Sequence, residues 1–301
     1  MSSQNPSRND YHECSAYRTI SITSCLGKRF EHITSQGPLS VLRKVNFDTD
    51  QFAYLKNRSS TQAILTLVEN VKKGLISGES VSVVFFDFTD AFGSVNRSLL
   101  LYKVRNHFGK LISGYLLQHI SSFLENRMAR IKIDDKVGDS IESKFGTSAG
   151  TRLGTLLFII HIHNIPKCIK PKFADDLVAF ALEKDIGVIQ RSLQNATNQR
   201  VQWTIKEGMI INAAKTKVML FGDRSDTISI KIQDTEIEKV TRYKYLGVIL
   251  DPTLDFGLQV SYAVSKAKRA QSKICTLING RRGMSVQLGI QLYKTSVRTV
   301  T

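Results

Sequence analysis

Apolar residues recur every three or four positions in several stretches of this chain and form short, continuous runs in others. From residue 61 to residue 75 they follow helical spacing, and Gly74 with Gly78 ends the pattern. The segment SVSVVFFDF comes next and is rich in β-branched and aromatic residues up to Asp87. The pattern therefore predicts a helix followed by a buried strand that ends near this aspartate.

The middle of the chain switches between the two periodicities. Residues 98–124 look mainly helical, and MARIKIDDKVGDSIESKF alternates apolar and polar residues around Asp134 and Asp135, as a hairpin does. The turn-rich TSAGTRLG leads into LLFIIHIHNI, which predicts a mostly buried helix. KFADDLVAFAL is then an apolar run that two adjacent carboxylates interrupt.

The last third of the chain continues this mixture of helices and strands. Residues 183–207 predict a long helix closed by Gly208, and KVMLFG, TISIKIQ and KYLGVIL predict short strands. From about Leu258 a further helix carries apolar residues on one face and lysine and arginine elsewhere. Strands interleaved with helices, without a repeat or a proline-rich linker, predict an α+β fold.

The charge balance narrows the choice of partners. Lysine and arginine outnumber aspartate and glutamate, which gives a net charge of +16 and a pI near 9.7. Such a charge favours polyanions, namely nucleic acid or an anionic membrane surface. Basic residues recur in every third of the chain, which suits a groove along a phosphate backbone; a merely solvated basic surface is the alternative.

Signals for membrane insertion or export are not found in the sequence. No apolar run approaches the roughly 18 residues that a membrane span needs. The polar start MSSQNPSRNDYHECS lacks the apolar region of a secretory signal. We therefore expect an intracellular protein, nuclear or cytoplasmic, that is not secreted and has no membrane partner.

Two carboxylate sites stand where an apolar strand would ordinarily continue. Asp87 follows VVFF, and Asp175 with Asp176 separates KFA from LVAF. A carboxylate there is costly unless it is capped, paired or bound to a cation. If the two strands are neighbours, Asp87 converges with one member of the pair. The alternative is that Asp87 caps a helix beginning near Ala91 and that the pair forms a tight turn.

Converging carboxylates would suit a particular chemistry. Mg²⁺ prefers carboxylate oxygens, with water and substrate phosphates in its remaining positions. Two such ions about 3.5 to 4 Å apart activate an attacking hydroxyl and stabilise a leaving phosphate. The pattern therefore points to phosphoryl transfer.

The order of several motifs resembles that in the reverse transcriptases of non-LTR retrotransposons, the LINE and jockey-like elements. FFDFTDAFGSVNR and KFADDLVAF look like motifs A and C, and GTSAGTRLGTLLFIIHIHNIP between them resembles motif B. YRTISITSCLGKRFE and QFAYLKNRSSTQAI are similar to finger segments, and GMIINAAKTKVMLFG and YKYLGVILD to motif D and the primer grip. SKAKRAQSKICTLI through LYKTSVR resembles the start of the thumb. The resemblance implies an α+β right-hand polymerase with fingers, an antiparallel palm sheet and a partial thumb.

Carried over to this chain, the resemblance assigns the chemistry to particular residues. Asp87, Asp175 and Asp176 would be the catalytic acids that hold two Mg²⁺ ions, with Mn²⁺ as the alternative ion. Lys215 matches the motif D lysine proposed to protonate departing pyrophosphate; a surface turn lysine is the other account. The implied partners are an RNA template, a DNA primer and dNTPs, and the implied activity is RNA-directed DNA polymerisation.

A second set of residues would bind substrates. Phe92 matches the bulky residue that excludes a ribose 2′-hydroxyl, and an aromatic ring that packs the palm is its alternative. Lys56 and Arg58 match basic finger residues that meet template or triphosphate, and a solvated loop is their alternative. The implied nucleotide-binding set is Lys56, Arg58, Phe88, Phe92, Ala149 and Gly150. The implied primer grip is Tyr245, Leu246 and Gly247.

Motif B departs most from the family pattern, because Ser148, Ala149 and Gly150 stand where Pro-Gln-Gly is usual. The family's glutamine helps to position template and nucleotide. This departure, and an end at LYKTSVRTVT within the expected thumb, favour the alternative of a catalytically inactive, truncated retroelement remnant that binds nucleic acid. The sequence leaves the oligomeric state open.

The resemblance also divides the chain. Residues 1–80 would be an N-terminal segment and fingers, 81–97 the first palm strand, and 98–144 an insertion between fingers and palm. Residues 145–256 would be the palm with the FADD hairpin and primer grip, and 257–301 a truncated thumb.

Overall fold

A computed structural model describes seven stretches of the chain. They are residues 2–4, 17–19, 21–36, 49–110, 112–222, 227–278 and 285–298. Parts of the predicted fingers, residues 5–16 and 37–48, and of the predicted thumb, residues 279–284 and 299–301, lie outside the described residues.

Helices and strands alternate through the described residues. The helices are α1 (Cys25–Gln36), α2 (Ser60–Ile76), α3 (Arg97–Phe108), α4 (Gly114–Leu124), α5 (Arg152–His161), α6 (Ile186–Glu207), α7 (Gly257–Ile278) and α8 (Val286–Leu292), the last followed by a π-helical turn (Tyr293–Val297). The strands are β1 (Ser2–Gln4), β2 (Tyr17–Thr19), β3 (Ser80–Phe86), β4 (Met128–Ile133), β5 (Lys136–Glu142), β6 (Lys172–Phe173), β7 (Asp176–Glu183), β8 (Lys217–Phe221), β9 (Lys231–Ile232), β10 (Thr235–Glu236), β11 (Glu238–Lys239), β12 (Tyr243–Tyr245) and β13 (Val248–Leu250).

Strand β3 is the centre of a five-stranded sheet with the order β11-β8-β3-β7-β6. It pairs antiparallel with β7, ending at Phe86 opposite Leu177, and antiparallel with β8 on its other side. Every residue of β3 is buried, as its apolar, β-branched sequence allows. The predicted buried strand is confirmed, and the sheet is antiparallel apart from the pair β11–β8.

The two faces of β3 enter different cores. Val84 and Phe86 pack into a core built by helices α3 to α6. Phe85 packs into a second core with α2 and the β12–β13 hairpin. Because successive strand residues point to opposite sides, Asp87 continues the face of Phe85, and Phe88 continues the face of Phe86.

Residues 98–124, predicted to be mainly helical, form two helices rather than one. Asn96 and Ser113 each accept a hydrogen bond from a backbone N–H three residues later, so each helix has its own N-cap. The predicted hairpin around Asp134 and Asp135 is confirmed as β4–β5, whose strands pair with each other.

The long helix α6 begins later than predicted and ends as predicted. Strand β7 runs through Glu183, and Asp185 caps the helix by accepting from Gly187 N–H at 2.7 Å. Gly208 ends the helix at φ +69°, a left-handed conformation that favours glycine. No helix of the described residues is both long enough and apolar enough to cross a membrane.

KVMLFG is confirmed as β8, TISIKIQ is confirmed only in part, and the prediction of KYLGVIL as a single strand is wrong. Of TISIKIQ only Lys231–Ile232 is a strand, in a hairpin with Thr235–Glu236. KYLGVIL is folded back on itself as the β12–β13 hairpin, with Leu246 and Gly247 at positive φ in its turn.

A buried polar cluster lies inside the core formed by α3 to α6. Lys103 Nζ lies 2.6 Å from Glu207 Oε2 and donates to Asn164 Oδ1 at 2.9 Å. Asn164 donates in turn to Glu207 Oε1 at 3.2 Å. Lys103 and Glu207 are almost fully buried, so this ion pair is shielded from water.

Candidate active site

Asp87 lies one residue beyond β3, where the sheet meets the segment before β8. Its N–H donates to Thr216 Oγ1 at 3.2 Å, and its carbonyl accepts from Asn212 N–H at 2.8 Å. Phe88 forms an antiparallel bridge with Ile211. The backbone of this half-buried aspartate is therefore held on both sides.

Asp175 lies in the tight turn between β6 and β7, and Asp176 is the first residue of β7. Ala174 has φ +55°, and Phe173 pairs with Asp176 across the hairpin. Continuing the register of β3 with β7 by one residue places Asp87 opposite Asp176. The expectation that the two strands are neighbours is confirmed. The turn of the alternative account is present at Ala174 and Asp175, but the helix that Asp87 would cap is not, because the first helix after Asp87 begins at Arg97 with Asn96 as its N-cap.

The pKa values of two tyrosines depend in part on the charges of these acids. Burial raises the pKa of Tyr243 to about 12, and the carboxylates of Asp176 and Asp87 add to this shift. Burial also raises the pKa of Tyr54, with Asp175 and Asp176 adding to it. Each of these tyrosines therefore lies within reach of the charge of two of the three acids.

The donor set at this edge fits Mg²⁺ by its chemistry. It consists of carboxylates from two adjacent strand ends, with Asp87 and Asp175 half-buried and Asp176 exposed. Hard oxygen donors open to solvent on one side suit an ion that keeps several waters and binds substrate phosphates. Within the described residues, no three His, Cys, Asp or Glu side chains are grouped as a preformed metal site, so the match to Mg²⁺ lies in the chemistry of the donors and not in an assembled geometry.

Phe88 and Phe92 occupy different surroundings. The half-buried Phe88 ring packs against the core, with its centroid 4.5 Å from the guanidinium carbon of Arg200. Arg200 is fully buried and also stacks on Trp203 at 4.2 Å. Phe92 stacks on Phe158 with 4.1 Å between ring centroids, at the boundary of the core.

The basic finger residues lie on the loop that precedes α2. Lys56 is exposed, whereas Arg58 is half-buried. Arg58 donates to the carbonyls of Thr49 and Gln51 and lies 5.7 Å from the Phe52 ring centroid. Arg58 therefore braces its own loop, and Lys56 carries the exposed charge.

Lys215 is exposed in the turn that holds Asp87. Its N–H donates to Asn212 O at 3.2 Å, and Asn212 also binds the carbonyl of Asp87. Lys217, two residues on, is paired with Glu238 at 2.6 Å. The structure thus brings Lys215 to the same edge of the sheet as the first acid.

Ala149 and Gly150 belong to the turn before α5. Ser148 has φ +58° and Gly150 φ +92°, and Thr151 caps the helix. Ala149 O accepts from Ser21 N–H at 3.2 Å, so this turn is tied to the segment before α1.

The predicted primer grip is the β12–β13 hairpin. Tyr245 is buried, 5.6 Å from Phe85 between ring centroids, while Leu246 is half-buried and Gly247 exposed at the turn. Tyr243 at the start of the hairpin stacks on Phe85 at 4.1 Å. The hairpin therefore packs on the face of β3 that Asp87 continues.

Sequence reasoning missed Gln51 and Tyr54, which lie beside the acids. Gln51 is buried, and its Oε1 accepts from Ala53 N–H at 2.9 Å and from Ala174 N–H at 3.2 Å. The signal in the sequence is weak, because an isolated glutamine and tyrosine in a basic loop also suit a solvated surface.

Comparison with known proteins gives a consistent result along the chain. Residues 5–250 match the family described as "Reverse transcriptase (RNA-dependent DNA polymerase)". The chain is 25% identical over 300 residues to the RNA-directed DNA polymerase from mobile element jockey of Drosophila funebris. It is 22% identical over 292 residues to the probable RNA-directed DNA polymerase from transposon X-element of Drosophila melanogaster. Each match covers 94% of this chain but 32% of the relative, so the chain spans about a third of their length.

Solved structures agree in fold. The apo telomerase of Candida tropicalis, truncated from its C-terminal domain, matches with a TM-score of 0.51 at 13% identity, over 80% of this chain and 52% of that chain. The telomerase of the same organism in complex with a TWJ fragment of telomeric RNA matches with a TM-score of 0.50, over 81% of this chain and 44% of that chain, also at 13% identity. The predicted α+β, right-hand polymerase fold is confirmed.

Proposed function

Because this chain belongs to the reverse transcriptase (RNA-dependent DNA polymerase) family, we propose that it adds dNTPs to the 3′-hydroxyl of a DNA primer on an RNA template. It would do so as the polymerase core of a non-LTR retrotransposon of the LINE and jockey type. The observation that carries the proposal is the antiparallel pairing of β3 with β7, in which Phe86 lies opposite Leu177 and the next residues are Asp87 and Asp176. Nucleotidyl transfer requires acids at one point, and neighbouring strand ends suit this requirement.

The three acids and one lysine would carry out different parts of the reaction. Asp87, Asp175 and Asp176 would hold two Mg²⁺ ions, which would supply the positive charge that activates the primer hydroxyl and offsets phosphate charge. The primer 3′-hydroxyl loses its proton to water as its oxygen forms a bond to the α-phosphorus of the dNTP, and the bond from that phosphorus to the oxygen bridging to the β-phosphate breaks. Pyrophosphate leaves with the bonding electrons, and Lys215 donates a proton to it.

Other residues position the substrates. The half-buried Phe92, fixed by its stack on Phe158, closes the space beside the sugar against a 2′-hydroxyl. The turn of Tyr245, Leu246 and Gly247 receives the primer end. A groove along α7 is lined by cations and hydroxyls, which suit the phosphates of the product duplex, whatever its sequence. The polar residues that line it are Ser261, Ser265, Lys268, Arg269, Ser272 and Lys273.

The direct test is incorporation of dTTP on a poly(rA) template with an oligo(dT) primer, as a function of Mg²⁺. We expect incorporation by the wild-type chain and none by Asp175→Asn, because the amide removes one anionic ligand. Asp139→Asn is the matched control, since Asp139 lies exposed on β5, and it should incorporate like the wild type. Equal incorporation by both variants would contradict the assigned role of Asp175.

The alternative function is nucleic-acid binding without catalysis. Its support is the basic face of α7 together with Ala149 in place of the family's glutamine. No incorporation by the wild-type chain, with RNA binding that weakens steeply between 50 and 200 mM salt, would favour it.

A further inference from the structure

The loop that carries Tyr54 is attached to the strand that leads into the acids. Gln51 pairs in parallel with Lys172 at β6, and two backbone hydrogen bonds of 2.8 Å join Phe52 N–H to Lys172 O and Lys172 N–H to Asp50 O. The Gln51 side chain adds a bond from Ala174 N–H, the residue before Asp175. The loop therefore extends the sheet at the edge where the acids lie.

Tyr54 is held in an unusual conformation at the end of this attachment. Its φ is +58°, a left-handed value that costs a bulky residue energy, and its neighbour Ala53 is fully buried. Arg58 fixes the loop from the other side through the carbonyl of Gln51 at 2.7 Å. The tyrosine ring nevertheless remains 54% exposed, so the fold directs an aromatic side chain into solvent from a rigid base.

The exposed Tyr54 ring lies near two features of the proposed nucleotide site. Its edge meets Phe92, with 6.4 Å between ring centroids and 83° between the planes. Its loop is bonded through Gln51 to Ala174, next to Asp175, and the charges of Asp175 and Asp176 add to the burial that raises the pKa of the phenol. Phe92 is itself backed by the buried Phe158, so Tyr54 is the solvent-facing end of a row of three aromatic rings.

We infer that Tyr54 contacts the sugar of the incoming 2′-deoxynucleoside triphosphate and fixes Phe92 in the position that excludes a 2′-hydroxyl. This inference rests on the proposed function. A triphosphate at the acids, with its sugar against Phe92, lies along the exposed face of Tyr54. The ring supplies a rigid apolar wall at small entropic cost, and its hydroxyl, protonated at neutral pH, is available as a donor.

Two substitutions distinguish the contribution of the Tyr54 ring from that of its hydroxyl. With poly(rA) and oligo(dT), Tyr54→Ala should raise the KM for dTTP about tenfold and lower the preference for dTTP over UTP about tenfold, the size of one lost aromatic contact. Tyr54→Phe keeps the ring and should retain the preference for dTTP. Tyr115→Ala, at a tyrosine 88% exposed on α4, is the matched control and should change neither quantity.

A binding measurement keeps this test independent of turnover. The protein is mixed with a primed template whose primer ends in a dideoxynucleotide, so that no dNTP can be added. dTTP is then titrated in, and the amount of bound dTTP is measured for every variant. Weaker dTTP binding by Tyr54→Ala, but not by Tyr115→Ala, supports the contact even if the wild-type chain fails to incorporate and the proposed function falls. Equal dTTP binding by both alanine variants, or an unchanged preference over UTP in an active enzyme, would overturn the inference.

Discussion

Glu207 is a buried carboxylate that faces two buried cations, and replacing it should strongly destabilise the protein. Its Oε2 lies 2.6 Å from Lys103 Nζ, with the two side chains 1% and 6% exposed. Burial lowers the pKa of Arg200, and the charge of Glu207 opposes that shift. Glu207→Gln keeps the shape but leaves both cations without this anion in a region of low dielectric. Removal of one member of a buried pair costs about 3–5 kcal/mol.

That loss would be a large part of the about 5–15 kcal/mol by which domains are stable. The measurement is urea unfolding followed by circular dichroism. The control is Glu238→Gln: Glu238 also lies 2.6 Å from a lysine, Lys217, but is 66% exposed. Water screens that pair, so its loss should cost less than about 1 kcal/mol. Equal losses in the two variants would refute the reasoning that burial, rather than contact distance, sets the strength of these pairs.

Two further predictions concern stability. Burial lowers the pKa of His161 to about 3, and the charges of Lys103 and Arg200 add to this shift. Between pH 6.5, the ordinary pKa of histidine, and pH 3, His161 therefore binds a proton in the unfolded chain but not in the folded chain. The free energy of unfolding should therefore fall from pH 6.5 towards pH 3 by up to about 1.4 kcal/mol per pH unit. His161→Gln should reduce this slope when unfolding by urea is measured at each pH, whereas a substitution of the exposed His107 should leave the slope unchanged. Gly208→Ala should cost about 1 kcal/mol in thermal unfolding because Gly208 has φ +69°. Gly114→Ala, where an added methyl meets nothing within 4 Å, should not destabilise, and an equal loss in both would contradict the conformational argument.

The sequence predicted the parts of the site that local pattern determines. The run VVFF can be buried on both faces only in a central strand, and the two interrupting carboxylates marked the turn before β7. Which acid faces Asp87 was not predictable, because the register depends on a hairpin in which Ala174 takes a positive φ. A non-glycine residue in that conformation leaves no signal in composition or periodicity.

Features that depend on distant pairing could not be predicted either. Charged residues such as Lys103, Arg200 and Glu207 follow the pattern of a solvated helix face, yet all three are buried. The burial of Lys103 and Glu207 is tolerable because α3 and α6 bring the two charges within 2.6 Å of each other, whereas Arg200 lies over the rings of Phe88 and Trp203. Tyr54 is a similar case, since its position depends on pairing between Gln51 and Lys172, far apart in the chain.

The amide oxygen of Gln51 joins two segments that lie far apart in the chain. It accepts from Ala53 N–H in the loop of Tyr54 and from Ala174 N–H in the turn that carries Asp175. Under the proposed function, a nucleotide that orders the loop would therefore favour order in the turn, and order in the turn would favour nucleotide binding to the same extent.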